Sequence, residues 1–239
     1  MKNYSENYWA KRAKSYNKTS WVKNESFIDG FLEMIGHKSF SNILEVGIGT
    51  GALAKIISEK KGPLIGIDIS KEMINKINHN KITPIVGNAH DLPFEDNTFD
   101  LIYMRNVIHY LDEPKKVFSE IYRCLKSKGT YMFSQVVPPN DNISTEYDWL
   151  VGRDIHYPTK NEILKLFSIF NKINHNDFLL ENQSISNWLN NTCQNEEEKQ
   201  KIIDRHRKTS KDYRRMANYR ESEDDIFVSI RHFMVSGEK

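Results

Sequence analysis

The sequence has few cysteines, no long apolar run and almost no net charge, and each absence narrows the classes of protein it can encode. Its two cysteines, Cys124 and Cys193, form no CxxC pair and no cluster suited to zinc. We therefore expect no disulfide framework, no metal site and a cytoplasmic location. No window approaches the roughly 20 apolar residues of a membrane span, and no secretory leader is visible. A formal net charge of +2 gives no reason to expect a nucleic-acid partner.

What the sequence does contain is a regular alternation of short apolar runs and amphipathic segments. The apolar runs predict five buried strands, at 42–47, 64–69, 83–86, 99–104 and 130–137. Helical spacing of apolar residues predicts helices at 52–61, from Ser70 onward and at 114–126, with Gly129 ending the last of these. Strands that alternate with helices in this way form a parallel sheet with right-handed crossovers.

The second half of the chain is less regular. Its patterns predict helices at 159–170, 186–191 and 196–217, and strands at 172–181 and 225–236. The first forty residues are also helical in pattern and rich in tyrosine and tryptophan. No segment rich in proline, glycine and serine separates these parts, so we expect a single domain over 1–239.

The segment ILEVGIGTG (43–51) is the most informative part of the chain. Gly47, Gly49 and Gly51 follow a predicted strand and open a helix, where glycines allow a tight turn and a close approach to a ligand. Their spacing is GxGxG, whereas dinucleotide folds have GxGxxG and P-loops have GxxxxGK[ST]. The segment therefore lacks both the spacing and the lysine of the common phosphate-binding loops.

Two carboxylates flank this glycine loop. Glu45 precedes it, and Asp68 closes the next strand. A carboxylate at Glu45 suits an ammonium group better than a phosphate, and an acid at the position of Asp68 can accept hydrogen bonds from ribose hydroxyls. The implied ligand is a nucleoside with a cationic amino-acid tail and no phosphate, which describes S-adenosylmethionine. The simpler alternative is that the three glycines only form a strand–helix turn.

Residues 40–137 resemble the class I S-adenosylmethionine-dependent methyltransferases, and in particular the small-molecule branch that includes enzymes of ubiquinone and menaquinone biosynthesis. The motifs that carry the resemblance are, in order, ILEVGIGTG (43–51), GIDIS (66–70), GNAHDLPFEDNTFDLIYMRNVIHYL (87–111) and IYRCLKSKGTYMFS (121–134). With the strand pattern, they imply an α/β, Rossmann-like, doubly wound and mostly parallel seven-stranded sheet with an antiparallel last strand. The expected parts are an N-terminal helical lid (1–40), a cofactor-binding core (41–137) and substrate-side elements with the last strands (138–239). The last part includes a helical insertion between strands six and seven.

The resemblance also implies which residues bind the cofactor. Glu45 and the backbone of Gly47, with the loop glycines Gly49 and Gly51, serve the methionine end. Asp68 binds the ribose, and Ile69 packs on the adenine.

Further cofactor contacts are implied on either side of these residues. Asn88 and Ala89 read the adenine edge; family members often have an acid in place of Asn88, whose carbonyl can accept the same hydrogen bond. Arg105 follows strand four, where a backbone carbonyl in the family meets the methionine amino group. The N-terminal residues Tyr8, Arg12 and Tyr16 close over the methionine carboxylate.

Methyl transfer from a sulfonium is an in-line displacement, so the protein must align the reacting atoms and exclude water. An oxygen nucleophile also needs a base. His109 follows strand four and His156 follows strand five, on the side of the sheet where ligands bind, and both are candidate bases. We expect a small aromatic or heterocyclic acceptor, carrying an O, N or C nucleophile, and a monomer or homodimer.

Three other interpretations remain open from the sequence, and one of them is another reaction of the same cofactor, such as a rearrangement or hydrolysis. The basic segment 205–220 (RHRKTSKDYRRMANYR) is the pattern expected of an RNA methyltransferase. A non-catalytic subunit that binds the cofactor and supports a partner would carry the same motifs.

Overall fold

The computed structural model describes Trp9 and residues 24–152, 155–193 and 195–239. The strands are β1 (Ile43–Val46), β2 (Leu64–Asp68), β3 (Ile82–Val86), β4 (Phe99–Arg105), β5 (Leu125–Val137), β6 (Asn171–Ser184), β7 (Arg220–Glu221) and β8 (Ile226–Glu238). The α-helices of the ranges from residue 24 onward are α1 (Glu25–Ile35), α2 (Ala52–Lys61), α3 (Lys71–Ile74), α4 (Pro114–Cys124), α5 (Ser144–Val151), α6 (Lys160–Phe167), α7 (Ile185–Thr192), α8 (Glu196–Arg207) and α9 (Lys211–Met216). None of the helices in these described ranges is long and apolar enough to cross a membrane.

The strands form one sheet in the order β3-β2-β1-β4-β5-β8-β6, with the short β7 paired to β8. Strands β1 to β5 are parallel, and β8 runs antiparallel to both β5 and β6. The predicted Rossmann-like α/β fold with an antiparallel last strand is therefore confirmed; β7 is an eighth strand that the sequence analysis did not predict. The strand order reverses between β1 and β4, and in such sheets ligands bind beyond the carboxyl ends of the strands at this point.

The sheet is buried on both faces, as a parallel sheet with helices on each side must be. Alternate residues of β1 point into different clusters: Leu44 packs with apolar side chains of α4 and α6, and Ile43 with those of α1 and α2. A third cluster joins α5, α7 and α8 to β8. The sheet thus has one core on each face and an additional helical layer over the ends of β5 and β8.

Three predicted helices end earlier than the patterns indicated, and one of them is α6, which stops at Phe167 rather than at residue 170. Helix α4 stops at Cys124, because Leu125 pairs with Phe99 and already belongs to β5. The helix predicted over 196–217 is interrupted after Arg207, because the Ser210 side chain caps a new helix and accepts a hydrogen bond from the Tyr213 backbone N–H (3.1 Å). Serine hydroxyls favour such caps over helix interiors.

Close packing of β2 against the glycine loop gives a test of the fold. A Cβ added at Gly66 would lie 2.0 Å from Ile48 Cδ1, so we expect Gly66→Ala to lower the free energy of unfolding by about 1–3 kcal/mol in urea denaturation. The control is Gly30→Ala in α1, where the nearest atom would be 3.7 Å away; there we expect no loss, or a gain of up to about 1 kcal/mol. Equal stability of the two variants would contradict the packing described for β2.

Candidate active site

The centre of the candidate site is a buried carboxyl group at the carboxyl edge of β1. Glu45 lies opposite Tyr103 of β4, and the Tyr103 hydroxyl donates a hydrogen bond to Glu45 Oε2 at 2.8 Å. Glu45 is only 3% exposed. Burial raises the pKa of Glu45 to about 8, although the Tyr103 hydrogen bond and the charge of Arg105 act in the opposite direction. Such a carboxyl group ionises readily when a cation is placed beside it.

Asp68, at the end of β2, holds the glycine loop in place. One carboxylate oxygen accepts a hydrogen bond from the Gly49 backbone N–H at 2.8 Å, and the other accepts one from the Ser70 N–H at 2.9 Å. Burial raises the pKa of Asp68, while these backbone hydrogen bonds lower it. A carboxylate offers about four lone-pair sites, so Asp68 can still accept hydrogen bonds from ligand hydroxyls.

The backbone N–H groups of the glycine loop are largely used within the protein. Those of Gly47 and Ile48 both donate to the Ile67 carbonyl, at 2.8 and 3.1 Å. The N–H of Gly49 donates to Asp68, and that of Gly51 donates to the Ile48 carbonyl at 3.0 Å. A phosphate-binding loop presents such groups to its anion. This loop is therefore built to approach a ligand closely rather than to hold a phosphate.

Gly47 is also required by its surroundings. Its φ is +74°, and a Cβ at this position would lie 2.2 Å from Val107 Cγ2. Residues other than glycine are strained at such a φ, and the contact leaves no room for a side chain. Gly47 is therefore where the loop passes closest to the segment after β4.

The residues predicted to contact adenine lie at the ends of β2 and β3. Ile69 follows Asp68 and is 51% exposed, so its apolar side chain is available to a ligand. Asn88 is exposed, and its Oδ1 accepts a hydrogen bond from the His90 backbone N–H at 3.0 Å and lies 2.9 Å from His90 Nδ1. Ala89 packs against the core. A ligand amine would therefore compete with His90 for the Asn88 carbonyl.

Arg105 is the last residue of β4, and the structure brings it to the same edge as Glu45. Its guanidinium carbon lies 4.2 Å from the centroid of the Phe27 ring, a cation–π contact. Its positive charge lowers the pKa of Glu45. The pKa of His232 lies well below its usual value, mainly because the side chain is buried and, to a smaller extent, because of the positive charge of Arg105.

The N-terminal residues Tyr8, Arg12 and Tyr16 lie outside the described residues, so their predicted role stays a prediction. Trp9, which is described, has its ring centroid 4.6 Å from that of Tyr110, with the rings nearly perpendicular. This contact brings one N-terminal side chain next to the turn that carries His109.

His109 lies on a 3₁₀ turn (Ile108–Tyr110) after β4 and is buried. Its Nδ1 is 2.9 Å from Nε2 and 3.2 Å from Oε1 of the Gln135 amide, so this amide can pair with either neutral tautomer of the imidazole. The His109 ring stacks on Tyr157, with centroids 4.7 Å apart. His109 is thus a positioned histidine beside the end of β5.

His156 has a different environment. It is exposed, with Nδ1 2.7 Å from Asp148 Oδ2 and Nε2 3.1 Å from Glu162 Oε2. Partial burial lowers its pKa, but hydrogen bonds to the two carboxylates outweigh this and raise it. The arrangement is that of a surface ion pair, and the geometry favours His109 over His156 as a base.

A cavity lies between the ends of β5 and β8 and the helical layer. Its volume is about 70 Å³, so it is a small cavity that opens to solvent, below the range of typical small-molecule pockets. The lining side chains are apolar, aromatic or neutral polar: Val136, Tyr147, Leu150, Val151, Tyr157, Ile185, Trp188, His206, Tyr213, Val228, Ser229 and Ile230. Tyr157 connects this cavity to His109 through the ring stack.

Sequence reasoning missed two groups at this edge of the sheet. Tyr103 could have been found, because a reversed strand order makes β1 and β4 neighbours and sets residue 103 opposite Glu45. Nothing in the sequence marked His206 as a buried residue, since a histidine in a basic amphipathic helix is usually a solvent-exposed side chain.

The arginines of the basic segment 205–220 make contacts within the protein. Arg205 donates a hydrogen bond to the Trp149 carbonyl, and Arg207 Nε lies 2.9 Å from Glu221 Oε1. Arg214 stacks on Tyr219 with its guanidinium carbon 4.6 Å from the ring centroid. These contacts give the basic side chains structural partners and favour a packed helical surface over an open nucleic-acid footprint.

Comparison with known proteins shows which family the region around this site belongs to. Residues 44–133 match a family described as methyltransferase domain. The chain is 36% identical over 125 residues to an uncharacterised protein of Methanocaldococcus jannaschii, which covers 52% of this chain and 58% of that protein. It is 32% identical over 127 residues to demethylmenaquinone methyltransferase of Thermotoga maritima, covering 51% and 52% of the two chains.

A solved structure shows the same fold. The YcgJ protein of Bacillus subtilis matches with a TM-score of 0.77 and 19% identity, covering 90% of this chain and 99% of that chain. The chain spans a little more than half the length of the two sequence relatives. Residues 44–133 are therefore a methyltransferase domain, and the predicted class, the class I S-adenosylmethionine-dependent methyltransferases, is confirmed at the level of this domain.

The raised pKa of Glu45 has a consequence for stability. In the folded, unliganded protein Glu45 retains its proton up to about pH 8, whereas it ionises near 4.5 when unfolded. Its contribution to stability is thus present below pH 4.5 and is lost as the pH rises to 8. We expect the free energy of unfolding, measured in urea at a series of pH values, to fall more over this window in the wild type than in Glu45→Gln. Superimposable pH profiles would show that the carboxyl group is not buried in this way.

Proposed function

We propose that this protein is an enzyme that transfers the methyl group of S-adenosylmethionine to an O, N or C nucleophile of a small aromatic or heterocyclic molecule by in-line displacement. The observation that carries the proposal is the Glu45 carboxyl group, buried beside a glycine loop in which the N–H groups of Gly47, Gly49 and Gly51 are already bonded within the protein. This combination suits a cationic ligand without phosphate. The family of residues 44–133 supports the same cofactor.

Different residues at the carboxyl edge of the sheet bind different parts of the cofactor. Glu45 takes the ammonium group of the methionine end, and the close approach at Gly47 brings the backbone to it. Asp68 uses its remaining lone pairs for the ribose hydroxyls, and the exposed Ile69 gives the adenine an apolar surface.

The other predicted cofactor contacts complete this assignment. Asn88 and Ala89 meet the adenine edge, with Asn88 shared between ligand and His90. Gly49 and Gly51 shape the loop, and Arg105 adds positive charge near Glu45. When bound, the cofactor supplies an electrophilic methyl group on a sulfonium.

The acceptor occupies the side of His109 and the adjoining cavity. The packed rings of His109, Tyr110 and Tyr157 exclude water from this region, and Trp9 adds a ring from the N-terminal part of the chain. His109 takes the proton of an oxygen nucleophile, with the Gln135 amide holding its ring. Since the cavity lining carries no charged side chain, it suits a neutral ring.

Binding of the cofactor gives the first test. Isothermal titration of S-adenosylmethionine at pH 7, in buffers of different ionisation enthalpy, is expected to show the release of about one proton per site, because the ligand ammonium ionises Glu45. Glu45→Gln is expected to bind more weakly and release almost none.

Asp68→Asn is the matched control for this titration. It removes a carboxylate from the ribose side, so we expect weaker binding with the proton release retained. Absence of any cofactor binding to the wild type would overturn the proposed function. Equal proton release by Glu45→Gln would overturn the role of Glu45 alone.

The two candidate bases can be tested against each other. With an oxygen acceptor found by screening phenols and hydroxylated heterocycles with labelled cofactor, we expect His109→Gln to lower kcat by about 100-fold or more and to leave cofactor affinity unchanged. His156→Gln is expected to retain its kcat, because the wild-type ring is held between Asp148 and Glu162. The opposite pattern would assign the base to His156.

A further inference from the structure

We propose that the cavity between β5, β8 and the helical layer selects a neutral ring that carries a hydrogen-bond donor, a hydroxyl or N–H, and that His206 Nε2 is the acceptor that recognises it. The proposal rests on the proposed function only in taking this ring to be part of the methyl acceptor. It assigns a specificity-determining residue far along the chain from the cofactor motifs.

The composition of the cavity sets the charge of its ligand. None of the side chains that line it is an aspartate, glutamate, lysine or arginine. A charged group entering it would lose hydration without gaining a partner, which costs several kcal/mol. Aromatic walls from Tyr157, Trp188 and Tyr213 instead suit a flat ring.

His206 is fixed in one tautomer. Its Nδ1 lies 2.8 Å from the Ile202 carbonyl oxygen one turn earlier in α8. A carbonyl only accepts hydrogen bonds, so Nδ1 carries the hydrogen and Nε2 carries a lone pair. Burial lowers the pKa of His206 to about 4, so the ring is neutral at physiological pH. His206 is thus a permanent acceptor in an apolar cavity.

Two tyrosine hydroxyls share this cavity with His206. Burial raises the pKa values of both Tyr147 and Tyr213, so both hydroxyls stay protonated. Within the described part of the chain, neither hydroxyl nor His206 Nε2 has a hydrogen-bond partner. All three residues line the cavity, so their hydrogen-bonding atoms are available to a ligand with complementary polar groups.

The cavity adjoins the region where methyl transfer is proposed, with the Tyr157 ring between them. Tyr157 lines it and stacks on His109, and Val136 lines it at the end of β5. The Val136 backbone N–H is held by the Asn106 side chain at 2.9 Å, directly after Arg105. A ring seated beside His206 would therefore lie on the other side of the Tyr157 ring from His109.

The test uses fragments that differ in one group. Dissociation constants of 4-fluorophenol, 4-fluorotoluene and 4-fluorobenzoate are measured by fluorine NMR on the full chain, with and without S-adenosylhomocysteine. We expect the phenol to bind about tenfold or more tightly than the toluene, as one hydrogen bond predicts, and the benzoate not to bind. Shifts of the Leu150 and Ile230 methyl resonances locate the fragment in the cavity.

Matched variants identify the acceptor atom. In His206→Asn the amide nitrogen can keep the bond to the Ile202 carbonyl, but nothing replaces Nε2, so the preference for the phenol should disappear. In His206→Gln the longer side chain can place its carbonyl oxygen near the Nε2 position, and part of the preference should return. Both variants keep the cofactor site intact.

Three results would overturn the proposal. They are equal affinity of the wild type for phenol and toluene, a phenol preference that persists in His206→Asn, and fragment binding that leaves the Leu150 and Ile230 resonances unmoved. If His206→Asn does not fold, the wild-type comparison still decides, with Tyr213→Phe testing the hydroxyl contribution. Binding of S-adenosylhomocysteine without phenol preference would remove this inference alone, whereas absence of S-adenosylhomocysteine binding would remove the proposed function.

Discussion

A carboxyl group buried at the centre of a parallel sheet is the constraint on which the candidate site depends. Glu45 sits in β1, where both faces of the sheet are covered, and its one polar side-chain partner in the described residues is the Tyr103 hydroxyl. Burial keeps its pKa near 8 in the free protein, although the charge of Arg105 acts to lower it. The energetic cost of this position is offset when a positive charge binds beside it. The site is therefore arranged for a cation before any ligand arrives.

The rest of the structure separates two tasks. The carboxyl ends of β1 and β2 hold the glycine loop rigidly through Asp68, which fixes the cofactor side. The ends of β5 and β8, covered by α5 and α7 to α9, form the uncharged aromatic cavity that we propose for the acceptor. His109 lies between these two regions, with its ring packed against Tyr157 and its Nδ1 against Gln135.

Much of the cofactor half could be predicted from sequence, because its determinants are local. A glycine spacing, a preceding acid and an acid one strand later are read directly from residues 43–68, and the periodicity of the strands sets the fold. The ends of the strands were predicted less accurately. The start of β5 at Leu125, for example, depends on its pairing with Phe99, which the local sequence pattern does not contain. The position of Tyr103 beside Glu45 could not be predicted from local pattern either, because it depends on which strands become neighbours in the sheet.

The acceptor half was least predictable, because it is built from distant segments that meet only in the fold. His206, Tyr147 and Val136 share a cavity although 70 residues separate the first from the last. In the sequence, His206 lies in a basic helical segment and Val136 in a predicted strand, and these patterns favour a solvated surface and simple packing. Their shared lack of charge becomes visible only once the helical layer closes over β8.

The ionisation of Glu45 tests the account most directly. A carbon-13 NMR titration of its side-chain carboxyl, assigned with Glu45→Gln, can follow this one group in the free protein and in the complex with S-adenosylmethionine. The account predicts a pKa near 8 without ligand and a fall below 7 when the cofactor is bound. A pKa near the ordinary value of 4.5 in the free protein, or no change on adding the cofactor, would contradict it.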